Sequence, residues 1–195
     1  MKIFKLLSLA IVLLSACQKE TNDIGPVATA PMDINSHREA GKIKVTRPFK
    51  VAMYISVDTN SSIPPTACSG DLPGFANAGY FLHGHATCIG FLNADQSRGQ
   101  DVTCDLSFTT ALLTTSVAGH IAAADGDLIY YTGNDEINVF NLLTGAGPTG
   151  TITGLWTITG GTGKFEGATG SFPIAGPVDF ATKTFSFTGE GAISY

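Results

Sequence analysis

The segment Phe185 to Tyr195, FSFTGEGAISY, places Phe185, Phe187, Gly189, Gly191, Ile193 and Tyr195 on one side and Ser186, Thr188, Glu190, Ala192 and Ser194 on the other. A period of two is the mark of a β-strand with one dry face. Ile43 to Val57 repeats the pattern, with Ile43, Val45, Phe49, Val51, Met53, Ile55 and Val57 on one face and only Arg47 breaking it. In Thr151 to Thr159, Ile152, Gly154, Trp156 and Ile158 oppose a row of threonines.

Further strands are expected over Tyr80–Leu92, Val102–Phe108, Val117–Ala124, Leu128–Thr132, Ile137–Leu143 and Phe172–Phe180. Asp125-Gly126-Asp127 lies between two β-prone runs and reads as a hairpin turn, because glycine tolerates positive φ. No helical period is evident. Eight or nine short strands with glycine-rich turns imply an all-β sandwich or closed barrel. Glycines inside strands, at 84, 90, 189 and 191, favour an antiparallel eight-stranded barrel, where sharp coiling needs missing side chains. The longest irregular stretch is the loop at 61–79.

Residues 160–170, GGTGKFEGATG, pose a choice between a phosphate loop and a chain reversal. A Walker loop needs Ser or Thr after Gly-Lys, and Phe165 follows Lys164. The dinucleotide pattern fails as well, since Glu166 stands at the third glycine position and no helix follows. A corner is expected instead. Gly160, Gly161 and Gly163 reverse the chain with positive φ, Phe165 folds back as an apolar plug, and Gly167 and Gly170 let the backbone run close to the barrel end.

The run WTITGGTGKFEGATGSF resembles the hallmark of the allene oxide cyclase and dirigent barrel superfamily, in which a strand ends in a Gly-Gly-Ser/Thr-Gly turn followed by Phe. The chain also resembles bacterial secreted proteins of unknown function on that plan over about residues 45–195. Arg47-Pro48-Phe49-Lys50, Gly84-His85-Ala86-Thr87-Cys88-Ile89-Gly90 and Ala124-Asp125-Gly126-Asp127 carry this likeness in order. Cys88 departs from the pattern by standing where a histidine is expected. The resemblance implies an eight-stranded antiparallel barrel that, in its plant enzymes, holds a hydrophobic substrate and steers cyclisation or coupling. A shared architecture does not transfer chemistry.

The N-terminus supplies an address. Lys2 and Lys5 precede the apolar run LLSLAIVLL, which is too short to span a bilayer, and then Leu14-Ser15-Ala16-Cys17. That order matches the bacterial lipobox. Residues 1–16 are therefore expected to be removed and Cys17 lipidated. Residues 17–42 then read as a flexible tether and 43–195 as the barrel domain. Gln18 after the cysteine resembles outer-membrane sorting, so a lipid-anchored position in the bacterial cell envelope is expected. From Val51 onward three basic residues face twelve acidic ones. An acidic body lacks the basic footprint that nucleic acid needs.

Few side chains suggest chemistry. His83 and His85 share a strand face, and with His120 they are candidates for holding a ligand, though nothing places His120 nearby. Glu166 is a carboxylate candidate at the barrel end. Asp125-Gly126-Asp127 does not begin a calcium loop, because Ile129 and Tyr130 occupy the fifth and sixth positions. GxSxG is absent and no cofactor or metal is implied. Three cysteines remain after lipidation, in a compartment that permits disulfides. Cys88 and Cys104 are equidistant from a hairpin centre near residue 96 and are the expected pair, with Cys68 bonding either of them as the rival. The leading expectation is a non-catalytic module that binds a small apolar ligand or mediates surface contact. An isomerase or cyclase that shapes its substrate, and a structural envelope protein, are the alternatives.

Overall fold

Residues 44–58, 65–71, 76–77 and 79–195 are described by a computed structural model, in which Lys44–Tyr195 forms one compact unit. Cys17, the leader and the tether lie outside the described residues. In chain order the elements are β1 (Thr46–Val57), β2 (Thr66–Ala67), β3 (Ser69–Gly70), β4 (Ala76–Asn77), β5 (Tyr80–Ala86), β6 (Gly90–Phe91), β7 (Arg98–Ser107), β8 (Leu112–Ala122) and β9 (Leu128–Asn138). A short helix α1 (Phe140–Thr144), β10 (Thr149–Gly161), a 3-10 turn (Gly163–Phe165), β11 (Thr169–Asp179) and β12 (Thr184–Ser194) follow.

The chain is all-β apart from these turns. Eight strands pair antiparallel in a ring, β1-β5-β7-β8-β9-β10-β11-β12 and back to β1. The alternating faces dictate what lies inside. Phe49, Val51, Met53 and Ile55 of β1, Ile152, Trp156 and Ile158 of β10 and Phe187 and Ile193 of β12 are all buried, while the threonines at 151, 153 and 157 are exposed. The ring is weakest between β5 and β7, which share only Tyr80↔Gly99 and Phe81↔Arg98. Beyond that pairing the free side of β7 is met by β3, parallel at Ser69↔Asp105 and Gly70↔Leu106.

Two expectations need correction. Leu128–Thr132 and Ile137–Leu143 are not separate strands: β9 runs unbroken to Asn138, and Phe140–Thr144 is helical. The hairpin after β5 does not centre near residue 96. His85↔Phe91 and Ala86↔Gly90 put its tip at Cys88, which takes φ 68° in the turn. Cys88 therefore cannot face Cys104 across two strands. The disulfide is Cys68–Cys104, with Cα atoms 4.4 Å apart, because β3, which begins directly after Cys68, pairs with β7 directly after Cys104.

The glycine corner is a corner. β10 continues through Gly160 and Gly161, so the reversal falls to Gly163 (φ 56°) and Gly167 (φ 70°) rather than to all the glycines. Phe165 is fully buried, edge-on to Tyr195 with ring centroids 5.1 Å apart. The Asp125–Asp127 turn docks on this corner. The Lys164 backbone N–H donates to Asp127 Oδ2 (3.1 Å), and Lys164 Nζ meets Asp125 Oδ2 (2.7 Å), which holds the Asp125 carboxyl below its ordinary range. One end of the ring is thus closed.

Candidate functional site

The opposite end is less tightly filled by the described residues. A cavity of about 110 Å³ lies among Ile55 and Val57 at the end of β1, Leu113 on β8, Ile137 on β9, Ile152 on β10 and Phe180 and Phe185 around the β11–β12 turn. Its inner wall is polar: Asp101 from β7, Thr115 from β8, Asp135 from β9 and Tyr80 from β5. Apolar walls with a few convergent polar groups are the usual make-up of a small-molecule site.

Strand register brings these groups together. Thr115 and Asp135 are direct partners on β8 and β9, and Asp101 on β7 faces Val117, two residues further along β8. Asp135 continues the inward row Ile129, Tyr131, Gly133 on β9. Asp101 is turned inward by a bulge between Asp101 and Thr103, which shifts the phase so that Gly99 and Asp101 precede it, and Cys104 and Leu106 follow it, on the same buried side. The aromatic floor needs space that glycine supplies. A Cβ on Gly99 would come within 2.3 Å of the Tyr131 hydroxyl and 2.4 Å of the Tyr80 ring. A Cβ on Gly154 would come within 2.1 Å of Asp135 Oδ1.

Asp135 is 3 % exposed. Trp156 Nε1–H donates to its Oδ1 at 2.9 Å, and the Trp156 ring is stacked on Tyr131 with centroids 4.3 Å apart. Burial pushes the Asp135 carboxyl up to about 7; the Trp156 hydrogen bond opposes that rise and the Asp101 charge adds to it. The Tyr80 and Tyr131 hydroxyls lie 3.4 Å apart, and burial pushes both phenols up, so both stay neutral at ordinary pH. Thr115 is 5 % exposed, and its hydroxyl has no hydrogen-bond partner among the described residues. The site can therefore hold or release one proton near neutrality.

The residues singled out by sequence lie elsewhere. His83 and His85 do share a face, but it is the outer one. His83 stacks on Tyr54 with centroids 4.6 Å apart and shares a hydrogen bond with Ser56 Oγ (2.8 Å). His85 is exposed, edge-on to Phe91. His120 is also on the outer face, edge-on to Tyr130 and in register with Arg98. Glu166 is exposed at the closed end, where it ends the 3-10 turn. None of the four lines the cavity, and the described residues contain no group of three or more potential metal ligands.

Sequence reasoning missed Tyr80, Asp101, Thr115 and Asp135. Asp135 carried a usable signal, a carboxylate in phase with buried positions. Asp101 carried none, because the bulge that turns it inward leaves no mark in the alternation. No family model, curated protein or solved structure matches the chain.

Proposed function

We propose that the protein is an extracytoplasmic lipoprotein whose ring is an allene oxide cyclase-like barrel, and that it binds a small, mainly apolar ligand in its cavity. The observation that carries this reading is the cavity itself: among the described residues its side walls are Ile, Leu, Val and Phe, and its polar groups converge at the inner end. A structural envelope protein has no use for buried carboxylates in a hollow, and their presence weighs against that role. The membrane partner is reached through lipidated Cys17, with residues 17–42 as tether. Replacing Cys17 by Ser should abolish incorporation of labelled fatty acid and release the protein from the outer-membrane fraction.

Native mass spectrometry of the full chain, after incubation with an extract of the host envelope, tests the binding claim. A non-covalent added mass is expected, and Leu113→Trp, which fills the cavity, should lose it. Equal added mass on both proteins, or none on either, would sink the proposal.

A second reading, an isomerase or cyclase, is favoured by one specific feature. Asp135 keeps its proton up to about pH 7 while facing an apolar space, which suits a general acid. Turnover separates the two readings: an enzyme should convert the captured ligand, and Asp135→Asn should bind it without converting it.

A further inference from the structure

We propose that the ligand of this cavity is a small neutral alcohol, its hydroxyl seated between the Thr115 hydroxyl and the Asp135 carboxyl and its apolar body among Ile55, Leu113, Ile137 and Phe185. The inference rests on the reading of the cavity as a ligand site and adds the functional group that the ligand carries.

Strand register sets the two polar groups side by side. Thr115 on β8 and Asp135 on β9 are direct partners, and both line the cavity. Facing residues on one side of an antiparallel pair hold their Cβ atoms about 5 Å apart, so one ligand oxygen can touch both side chains. The two do not bond each other. Asp135 Oδ1 accepts from Trp156, while Oδ2 and the Thr115 hydroxyl have no partner among the described residues. Both residues are buried, yet neither has a fully enclosed polar atom lacking a partner, so both groups reach the cavity space. Buried polar groups in native proteins are bonded as a rule, and a pair left over at a cavity wall is placed to bond what enters it.

A hydroxyl fits this pair in either protonation state. With a proton on Asp135, the ligand oxygen accepts from the carboxyl O–H and the ligand O–H donates to Thr115 Oγ1. With Asp135 ionised, the ligand O–H donates to Oδ2 and its oxygen accepts from Thr115. A carbonyl only accepts, so it needs the proton on Asp135. An ammonium brings three N–H donors to two groups. Asp101, the other carboxyl of the lining, has a partner of its own and is not counted as a third. A carboxylate ligand would find no basic side chain among the described lining residues to offset its burial. At about 110 Å³ the cavity is smaller than the roughly 150 Å³ engineered cavity that takes benzene, so the apolar body is about one small ring in size.

The titratable groups that face Asp135 are Asp101 from β7, Tyr80 from β5 and Tyr131 from β9 itself; Thr115 of β8 and Trp156 of β10 do not titrate. Burial keeps both tyrosines neutral and keeps the proton on Asp135 up to about pH 7. A ketone should therefore bind about tenfold less tightly at pH 8 than at pH 6, as the protonated fraction falls, whereas an alcohol reverses its hydrogen bonds and keeps its place.

Calorimetry on the full chain with cyclopentanol, cyclopentanone and chlorocyclopentane tests this, the chloride matching the alcohol in shape without its hydroxyl. Cyclopentanol should bind about tenfold or more tighter than the chloride at both pH 6 and pH 8, and the ketone should approach it only at pH 6. Thr115→Val, which keeps the side-chain shape, should bring the alcohol to within about threefold of the chloride. Thr115→Ser restores a hydroxyl and should recover most of the difference, which a folding defect would not do. Asp135→Asn should remove the pH dependence of ketone binding. If the chloride binds as tightly as the alcohol, the hydroxyl claim is overturned, the pair holds water only, and the cavity remains a ligand site. If none of the three binds while the envelope extract still adds mass, the alcohol claim fails alone. If the extract adds none either, both claims fail together.

Discussion

Replacing Asp135 by Asn should change how stability depends on pH. The folded carboxyl holds its proton up to about 7, against an ordinary value of 3.8, because it is buried. Between those values the folded chain binds a proton that the unfolded chain has released. Stability must therefore fall as pH rises through the window, by about 1.4 kcal/mol per unit and on the order of 4 kcal/mol in all. Asn has nearly the same shape, and its amide oxygen can still accept the Trp156 N–H, but it does not ionise. The variant should match the wild type near pH 4 and exceed it by a margin on the order of 4 kcal/mol at pH 8. Other carboxylates, such as Asp125 and Asp179, whose hydrogen bonds hold them low, shift stability in the opposite direction. They do so equally in both proteins and cancel in the difference. Urea unfolding at pH 4 to 8, followed by the fluorescence of Trp156, the single tryptophan, is the assay. Parallel stability curves for the two proteins across that range would refute a buried, proton-holding carboxyl.

Phe165→Ala should destabilise by about 3–5 kcal/mol, since the ring is fully enclosed at the closed end, and chemical denaturation measures it directly. Replacing both Cys68 and Cys104 by Ser removes a link between residues 36 apart and should cost about 4 kcal/mol by chain entropy. Peptide mapping of the unreduced protein should recover the Cys68–Cys104 pair; a Cys88–Cys104 peptide would contradict the β3–β7 alignment. Gly99→Val should cost about 1–3 kcal/mol or more and disturb Trp156 emission, because the side chain would collide with Tyr80 and Tyr131.

Legibility followed local pattern. The inward faces of β1, β10 and β12 are legible because each strand is long and keeps one phase, so alternation alone puts Phe49, Trp156 and Ile193 on the buried side. The corner at Gly163–Phe165 was legible from glycine spacing and the lone aromatic. The span of β9 was not, because Gly133-Asn134-Asp135 has the composition of a turn. Gly133 is there to clear the Trp156 ring, and Asp135 points into the ring of strands. The cysteine pairing was hidden by a tight turn at Cys88 and by a parallel contact that crosses the irregular segment before β5. The polar wall depends on register among β7, β8 and β9 and on one bulge, and pairwise register is not written in any single strand's alternation.

The electron density inside the ring, in crystals of the protein taken from its native envelope, tests the existence of a ligand cavity most directly. Density in contact with Asp135 Oδ2 and the Thr115 hydroxyl, with Phe180 and Phe185 held at the rim, is the expected result. Phe180 and Phe185 turned inward to fill the space, with no room left beside Asp135, would contradict the account.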